Sequence, residues 1–276
     1  MRISRTVASI TAAAALVAGA LFSASSASAA PPPPSSMAAL GDSISQAAMT
    51  CSTLTACPAN SWSTGTNTTV NSQYLRLKAK YNIAITAFND SVSGATSADL
   101  LGQANAAAAQ GAQYVTIEMG ANDACTSTVA GMTPTATYQA RIHQALAALA
   151  GSTVRPQVFV ASVPSLLRMY NLNRNNWGAR FWWSILGICQ SMLANPGSTS
   201  PADTARRNAV EAQVQAYNAA LLAECTAAVN CTYDKGAVYN YQFTTSDIST
   251  RDYFHPSLTG QGHLAGVTWT ASQWAS

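Results

Sequence analysis

The chain has 276 residues, of which only 9% are charged, with 14 Lys and Arg against 11 Asp and Glu. A net charge of +3 gives no electrostatic reason to expect nucleic acid or an anionic surface as a partner. The length is sufficient for one α/β domain with a substantial core.

The first 29 residues have the pattern of an export signal. Arg2 and Arg5 form a positive start, residues 7–22 form an apolar stretch, and Ala27-Ser28-Ala29 forms a small-residue cleavage site. A membrane anchor is the alternative, but Ser, Thr and Gly dilute the stretch, which is short for a span. No second long apolar segment follows, so the sequence predicts a secreted, extracellular protein without stable membrane insertion.

Apolar runs alternate with helical patterns after a Pro/Ser-rich leader at residues 30–36. This alternation predicts one domain over residues 37–276, with a parallel sheet covered by helices on both faces. The predicted strands are Met37–Leu40, Ile83–Phe88, Tyr114–Met119 and Gln157–Ser162, and the predicted helices are Ser72–Tyr81, Ser97–Gln110, Thr135–Ala150, Ala202–Ala228 and a last one near 259–269.

Two segments interrupt the alternation. Cys51–Val70 is rich in Ser, Thr, Asn and Gly and is predicted to be a long loop. Ser165–Ser200 carries several aromatic side chains, and such long connections are often functional. These aromatic side chains are predicted either to line or cover an apolar cleft or simply to pack on the domain.

Six cysteines in an exported chain favour three disulfides, although 15 pairings are formally open. Two pairs are each six residues apart and can close small loops, which leaves the middle two for each other. The absence of any Cys-x-x-Cys spacing disfavours the alternative of a metal site. The favoured bonds are therefore Cys51–Cys57, Cys125–Cys189 and Cys225–Cys231.

The most informative motif is Gly41-Asp42-Ser43-Ile44, which directly follows the first predicted strand. Such a turn places the Ser43 hydroxyl at the carboxyl edge of the sheet, where open α/β sheets keep their sites. Near the other end of the chain, His255 follows Asp252 by three residues. A serine, a histidine and an aspartate are the groups needed for nucleophilic attack on an ester.

Four blocks occur in order: Gly41-Asp42-Ser43, Ser93-Gly94-Ala95-Thr96, Gly120-Ala121-Asn122-Asp123 and Asp252-Tyr253-Phe254-His255. Together they resemble the SGNH hydrolases, also called GDSL esterases/lipases. The resemblance implies a flavodoxin-like α/β/α sandwich and ester hydrolysis. The Gly-x-Ser-x-Gly elbow of the α/β-hydrolase fold is missing around Ser43.

The resemblance also implies catalytic roles. Ser43 is expected to be the nucleophile and His255 its base, while Asp252 orients the imidazole, a role that a backbone carbonyl takes in some relatives. The oxyanion donors are expected to be the Ser43 and Gly94 N–H groups and the Asn122 amide. Ordinary turn or cap roles are the alternatives for Ser43, Gly94 and Asn122.

The sequence thus predicts a monomeric serine esterase or lipase that acts on lipid or other acyl esters without a cofactor. The aromatic segment favours lipid, since acyl chains need apolar walls. A carbohydrate acetyl esterase and a non-catalytic binding module are the alternatives. Metal ligation is a disfavoured alternative role for Asp42, Asp123 and Asp252, because serine esterase chemistry needs no metal.

Overall fold

The computed structural model describes residue 1, residues 31–52 and residues 54–275. The predicted signal peptide, apart from Met1, lies outside these residues. Among the helices that are described, none combines the length and the apolar character needed to cross a membrane.

The domain is built on five parallel strands in the order β2-β1-β3-β4-β5. β1 pairs with β2 on one side and β3 on the other, so the chain reverses its direction of winding between them. The carboxyl ends at such a switch point form a crevice. The strands are β1 (Ser36–Gly41), β2 (Thr86–Asn89), β3 (Tyr114–Glu118), β4 (Gln157–Val160) and β5 (Cys231–Tyr233).

Helices flank the sheet, as the alternation of sequence patterns predicts. α2, α4 and α8 pack against one another in series, and α1 packs on α10. The helices are α1 (Gln73–Tyr81), α2 (Leu100–Ala109), α3 (Ala121–Ala124), α4 (Thr135–Gly151), α5 (Leu166–Asn173), α6 (Trp177–Leu186), α7 (Gln190–Leu193), α8 (Pro201–Ala227), α9 (Ala237–Asn240) and α10 (Leu258–Ala271).

Local sequence explains where several helices begin. The hydroxyls of Ser72, Ser165, Ser200 and Ser257 each accept a hydrogen bond from the backbone N–H three residues later. A serine in this position satisfies one of the N–H groups that a helix start leaves without a partner. These caps fix the first turns of α1, α5, α8 and α10.

The α/β/α prediction is confirmed, with differences in detail. β5 was missing from the predicted strands because its three residues are too short to show a hydrophobic period. The segment Ser165–Ser200 is largely helical, since it contains α5, α6 and α7. Its aromatic residues divide: Tyr170 and Trp183 are buried, while Trp177, Phe181 and Trp182 are exposed.

Three disulfides join the cysteines as sequential pairs: Cys51–Cys57, Cys125–Cys189 and Cys225–Cys231. The middle bond spans 64 residues and ties the loop after β3 to the start of α7. Closing a loop of this length lowers the conformational entropy of the unfolded chain. In the entropic model this stabilises the folded state by about 4 kcal/mol.

Candidate active site

The carboxyl end of β1 is held against the end of β3 by very close backbone packing. Gly41 has φ +146°, and a Cβ there would lie 2.3 Å from the Glu118 carbonyl oxygen. The Gln103 amide completes this strand end, because its Oε1 accepts from the Gly41 N–H at 2.7 Å and its Nε2 donates to the Gly41 carbonyl at 2.9 Å. Gly41 is therefore required for the close packing of the β1 end against β3, and this packing fixes where the chain leaves the sheet before Ser43.

Ser43, His255 and Asp252 form a continuous relay. The Ser43 Oγ lies 2.8 Å from His255 Nε2, and His255 Nδ1 lies 2.5 Å from Asp252 Oδ2. Asp252 is almost completely buried, while the serine and the imidazole each keep a small exposed fraction. This arrangement allows the imidazole to take the serine proton while the carboxylate stabilises the imidazolium.

A closed loop positions the histidine. An isolated antiparallel bridge joins Ile248 to Pro256, and the Ser249 N–H donates to the His255 carbonyl at 2.8 Å. Inside the loop, Asp252 Oδ1 accepts from the N–H groups of Phe254 and His255 at 3.0 and 3.1 Å. Asp252 thus holds both the backbone and the ring of the same turn.

The predicted oxyanion donors belong to Ser43, Gly94 and Asn122, which lie around one groove. Within the described part of the chain, neither the Ser43 nor the Gly94 backbone N–H has a hydrogen-bond acceptor. Gly94 has φ +84°, and nothing lies within 4 Å of the position that a Cβ would take. The Asn122 amide donates to the Ala95 carbonyl at 2.8 Å, which fixes its orientation. Asn122, Gly94 and Ser43 also line one common groove.

Asp123 connects the two loops that carry Gly94 and Asn122. Its carboxylate accepts from the Ser97 N–H at 2.8 Å and from the Ser97 hydroxyl at 2.6 Å. Arg141 Nη1 adds a donor to the same hydroxyl at 3.2 Å. The buried carboxylate of Asp123 therefore holds these two loops together.

Asp42 is buried beside Ser43. Its Oδ1 accepts from the Ile44 N–H at 2.8 Å, and its Oδ2 lies 3.5 Å from the Asn122 amide nitrogen. Burial raises the pKa of Asp42 to about 6, against the lowering effects of the Ile44 N–H and His255. Glu118 is buried as well, and burial together with Asp42 raises its pKa well above the usual range. Its carboxyl oxygens have no hydrogen-bond partner among the described residues.

Each of the three histidines meets a carboxylate. His143 Nδ1 lies 2.9 Å from Glu224, and His263 Nδ1 lies 2.5 Å from Asp247, although neither histidine has an acid close by in sequence. Only His255 also contacts Ser43. Spatial pairing with an acid therefore does not distinguish the candidate base, whereas contact with the serine does.

Sequence reasoning missed three polar residues that support the site: Gln103, Glu118 and Gln261. The Gln261 amide donates to the Ile44 carbonyl at 2.8 Å and accepts from the Trp62 N–H at 2.9 Å. Glutamine and glutamate normally lie on the surface, so their sequence pattern gave no sign of burial. The described residues contain no group of three or more His, Cys, Asp or Glu side chains placed to hold a metal ion.

Two different cavities meet at Ser43 and His255. The first, about 60 Å³, is narrow and mostly apolar, and its walls include Met169, Leu172 and Ile248. The second is an open groove of about 630 Å³, whose walls include Gly94 and Ile188. Ser43, Asn122, Phe254 and His255 line both. A substrate bound at Ser43 can therefore extend in two directions.

Comparison with known proteins places the chain in a family. Residues 39–263 match the model of the GDSL-like Lipase/Acylhydrolase family. A search of curated proteins gives no match.

Three solved structures are among those similar to the chain. LAE5, an alpha/beta hydrolase enzyme from the metagenome of Lake Arreo, Spain, is 16% identical with a TM-score of 0.55, over 88% of this chain and 96% of that one. The acetyl xylan esterase AlAXEase is 14% identical with a TM-score of 0.52, over 86% and 98%. The extracellular lipase of Streptomyces rimosus is 20% identical with a TM-score of 0.45, over 86% and 100%.

At these identities, the first two structures show a shared fold alone, while the family match covers most of the sequence. The chain therefore belongs to the GDSL-like lipase/acylhydrolase family of carboxylic ester hydrolases.

Proposed function

We propose that this chain is an exported serine esterase that cleaves lipid or other acyl esters through an acyl-enzyme on Ser43. The observation that carries the proposal is the 2.8 Å contact between Ser43 Oγ and His255 Nε2, with Asp252 on the far side of the imidazole. A serine that lies against an oriented base is activated as a nucleophile.

The geometry supports a two-step acyl transfer. As Ser43 Oγ bonds to the ester carbonyl carbon, its proton passes to His255 Nε2, and the carbonyl oxygen becomes an oxyanion. The oxyanion accepts hydrogen bonds from the Ser43 and Gly94 N–H groups and the Asn122 amide. Collapse of this intermediate breaks the carbon–oxygen bond to the alcohol, which takes the proton back from His255. Water then repeats the sequence and releases the acid and free Ser43.

The narrow cavity supports an acyl substrate. Its walls are predominantly apolar, and Met169 and Leu172 extend it away from Ser43. Apolar walls favour an aliphatic chain over a sugar ring because burial of each methylene contributes about 0.8 kcal/mol. The acyl chain is therefore assigned to the narrow cavity and the alcohol to the open groove.

The open groove favours one alternative, a carbohydrate acetyl esterase. Its volume and its polar residues near the catalytic pair, such as Ser93 and Thr55, leave room for an oligosaccharide. An acetyl group would then occupy only the mouth of the narrow cavity. Preference for acetate esters of sugars over longer acyl esters would support this second function.

Export and assembly complete the proposal. Residues 1–29 are proposed to be a signal peptide, followed by a leader at 30–36 and one hydrolase domain at 37–276. Three disulfides are consistent with an oxidising, extracellular setting. The enzyme is proposed to act as a monomer without a cofactor.

The test is hydrolysis of p-nitrophenyl esters from acetate to palmitate by the mature protein and by the Ser43→Ala variant. Removal of a triad serine lowers kcat by about 10⁶ in a comparable serine hydrolase. Ser198→Ala is the matched control, because this serine lies near the start of α8 and should not change the rate. Equal turnover by Ser43→Ala and the parent would reject the serine mechanism.

A second pair of variants tests where the acyl chain lies. Leu172→Trp fills the narrow cavity and is expected to reduce turnover of long-chain esters while acetate turnover remains. Ile188→Trp makes the same increase in size in the open groove. Loss of long-chain turnover in Ile188→Trp alone would place the acyl chain in the groove instead.

A further inference from the structure

Helix α6 presents an apolar surface to solvent. Trp177 is 78% exposed and Ile185 62% exposed, and Phe181, Trp182 and Leu186 are also exposed. The rings of Trp177 and Phe181 stack with centroids 5.4 Å apart, and Phe181 meets Trp182 edge-on at 5.5 Å. These five side chains, here called the α6 apolar face, form one continuous surface.

The opposite side of α6 already attaches the helix to the domain. Ala179 and Trp183 are fully buried, and the Trp183 indole N–H donates to the Tyr253 carbonyl at 3.3 Å. Gly178 permits close contact, since a Cβ there would lie 2.9 Å from the Tyr253 hydroxyl. The α6 apolar face therefore does not serve this attachment, although a surface helix normally turns polar residues to water.

The α6 apolar face lies near the entrance to the catalytic groove. Ile188 and Cys189, which follow α6 directly, line the groove together with Ser43 and His255. Leu54, another exposed apolar side chain, lines the same groove. Tyr253, which holds α6, is two residues from His255. A surface that covered this face would thus lie close to the reacting groups.

The charge around α6 selects among possible occupants. Residues 165–200 contain Arg168, Arg174 and Arg180 but no Asp or Glu. Within the described chain, no ion pair engages Arg174 or Arg180; Arg180 Nε instead donates to the Arg174 carbonyl. The net charge of the whole chain gives no attraction to an anionic surface. The arginines of residues 165–200, without neighbouring acids in that segment, do attract such a surface.

The same features disfavour other occupants. A symmetric second copy would bring identical arginines close to one another. A polysaccharide would stack on flat rings, whereas Ile185 and Leu186 extend the face with aliphatic groups that offer no such platform. Trp and Phe together with aliphatic side chains and nearby Arg are typical of helices that lie in a lipid–water interface.

We propose that the α6 apolar face, together with Arg174 and Arg180, docks the enzyme on an anionic phospholipid surface. The groove entrance then lies next to the interface from which ester substrates can enter. This inference rests on the proposed action on lipid or acyl esters and names the surface on which that action takes place.

The test is co-sedimentation of the mature chain with vesicles, in a Ser43→Ala background so that the lipid is not consumed. Vesicles of phosphatidylcholine alone are compared with vesicles containing about 30% phosphatidylglycerol. The variant Trp177→Ser/Phe181→Ser/Ile185→Ser is expected to lower the partition coefficient by about 100-fold, because each side chain loses apolar burial. The control Val154→Ser/Leu222→Ser/Val229→Ser changes exposed apolar residues outside α6 and should bind like the parent.

A second arm tests the charge. Arg174→Gln/Arg180→Gln is expected to weaken binding to the anionic vesicles by about 5- to 30-fold, at about 1 kcal/mol per arginine, and to leave binding to neutral vesicles unchanged. Absence of vesicle binding by the parent, or equal binding by the triple α6 variant, would overturn the proposal. So would a concentration-dependent dimer, or retention on acetylated polysaccharide, that the triple α6 variant abolishes.

Failure of docking is distinguishable from failure of the proposed function. Turnover of soluble p-nitrophenyl butyrate by the parent needs no vesicle and is expected to disappear in Ser43→Ala. An enzyme that hydrolyses the soluble ester but ignores vesicles would overturn the docking proposal and leave the serine mechanism intact.

Discussion

Two buried aspartates lie beside the proposed catalytic pair, Asp42 next to Ser43 and Asp252 against His255, and their surroundings differ. Asp252 receives the His255 ring N–H and two backbone N–H groups. Asp42 receives one short backbone N–H and a long contact from Asn122, and it faces the acidic groups of Asp123 and Glu118. Asp42 is adjacent to Ser43 in sequence but has few donors, whereas Asp252 is far from Ser43 in sequence and contacts His255.

The comparison shows that donors, rather than closeness to the nucleophile, decide what a buried carboxylate can do. Three donors hold the Asp252 carboxylate against the His255 ring. Burial near other acids raises the pKa of Asp42 to about 6, so its charge is costly. Asp42 is therefore assigned to shape the serine turn, and Asp252 to support proton transfer.

The largest expected difference between the two aspartates is in turnover. Asp252→Asn is expected to lower kcat on p-nitrophenyl butyrate by about 10⁴, because the amide cannot stabilise the imidazolium. Asp42→Asn keeps an acceptor for the Ile44 N–H and is expected to change kcat less than about 10-fold, a change below about 1.4 kcal/mol. Circular dichroism checks that both variants are folded. Equal losses in the two variants would contradict the distinction.

A smaller effect is expected at Asn122, which contacts the serine-side aspartate. Asn122→Ala removes one oxyanion donor and is expected to lower kcat by about 10²–10³ with little change in KM. Steady-state kinetics separate the two parameters, and Asn240→Ala, at an exposed position in α9, is the control. A rise in KM at unchanged kcat would show that Asn122 binds the ground state instead.

The smallest expected effect is on stability and depends on pH. Because the pKa of Asp42 is raised, the folded state favours the protonated acid. The contribution of Asp42 to the free energy of unfolding is therefore complete below about pH 4 and is lost as the pH rises to about 6. Asp42→Asn does not undergo this loss. The free energy of unfolding of the variant minus that of the parent is therefore expected to be larger at pH 7 than at pH 4, by up to about 3 kcal/mol. Urea unfolding across this range measures the free energy of unfolding.

Asp203→Asn provides the control for that series. Hydrogen bonds from Ser198, Arg206 and Ser200 lower the pKa of the Asp203 carboxyl, so its effect on stability changes only in acid below about pH 4. The difference in the free energy of unfolding between Asp203→Asn and the parent should therefore be constant between pH 5 and pH 7. A constant difference for Asp42→Asn as well would contradict the raised pKa.

Much of the fold could be predicted from sequence because the buried strands and long helices have strong periodic patterns. β5 and α7 could not be predicted, since three or four residues show no period. α6 could not be predicted because its aromatic residues are distributed between buried and exposed sides. The sequence motifs identified Ser43, Asn122 and His255 as candidates. They could not reveal Gln103, Glu118 or Gln261, whose burial depends on elements that meet only in the folded chain.

The separation of Ser43 from His255 by 212 residues has a consequence for biosynthesis. A growing polypeptide carries the proposed nucleophile long before the proposed base has been translated, and α10, which follows His255, is translated later still. Incomplete chains therefore lack the paired groups that attack an ester. Completion of the C-terminal segment therefore brings the proposed pair together, and ester hydrolysis is expected only after α10 has been translated.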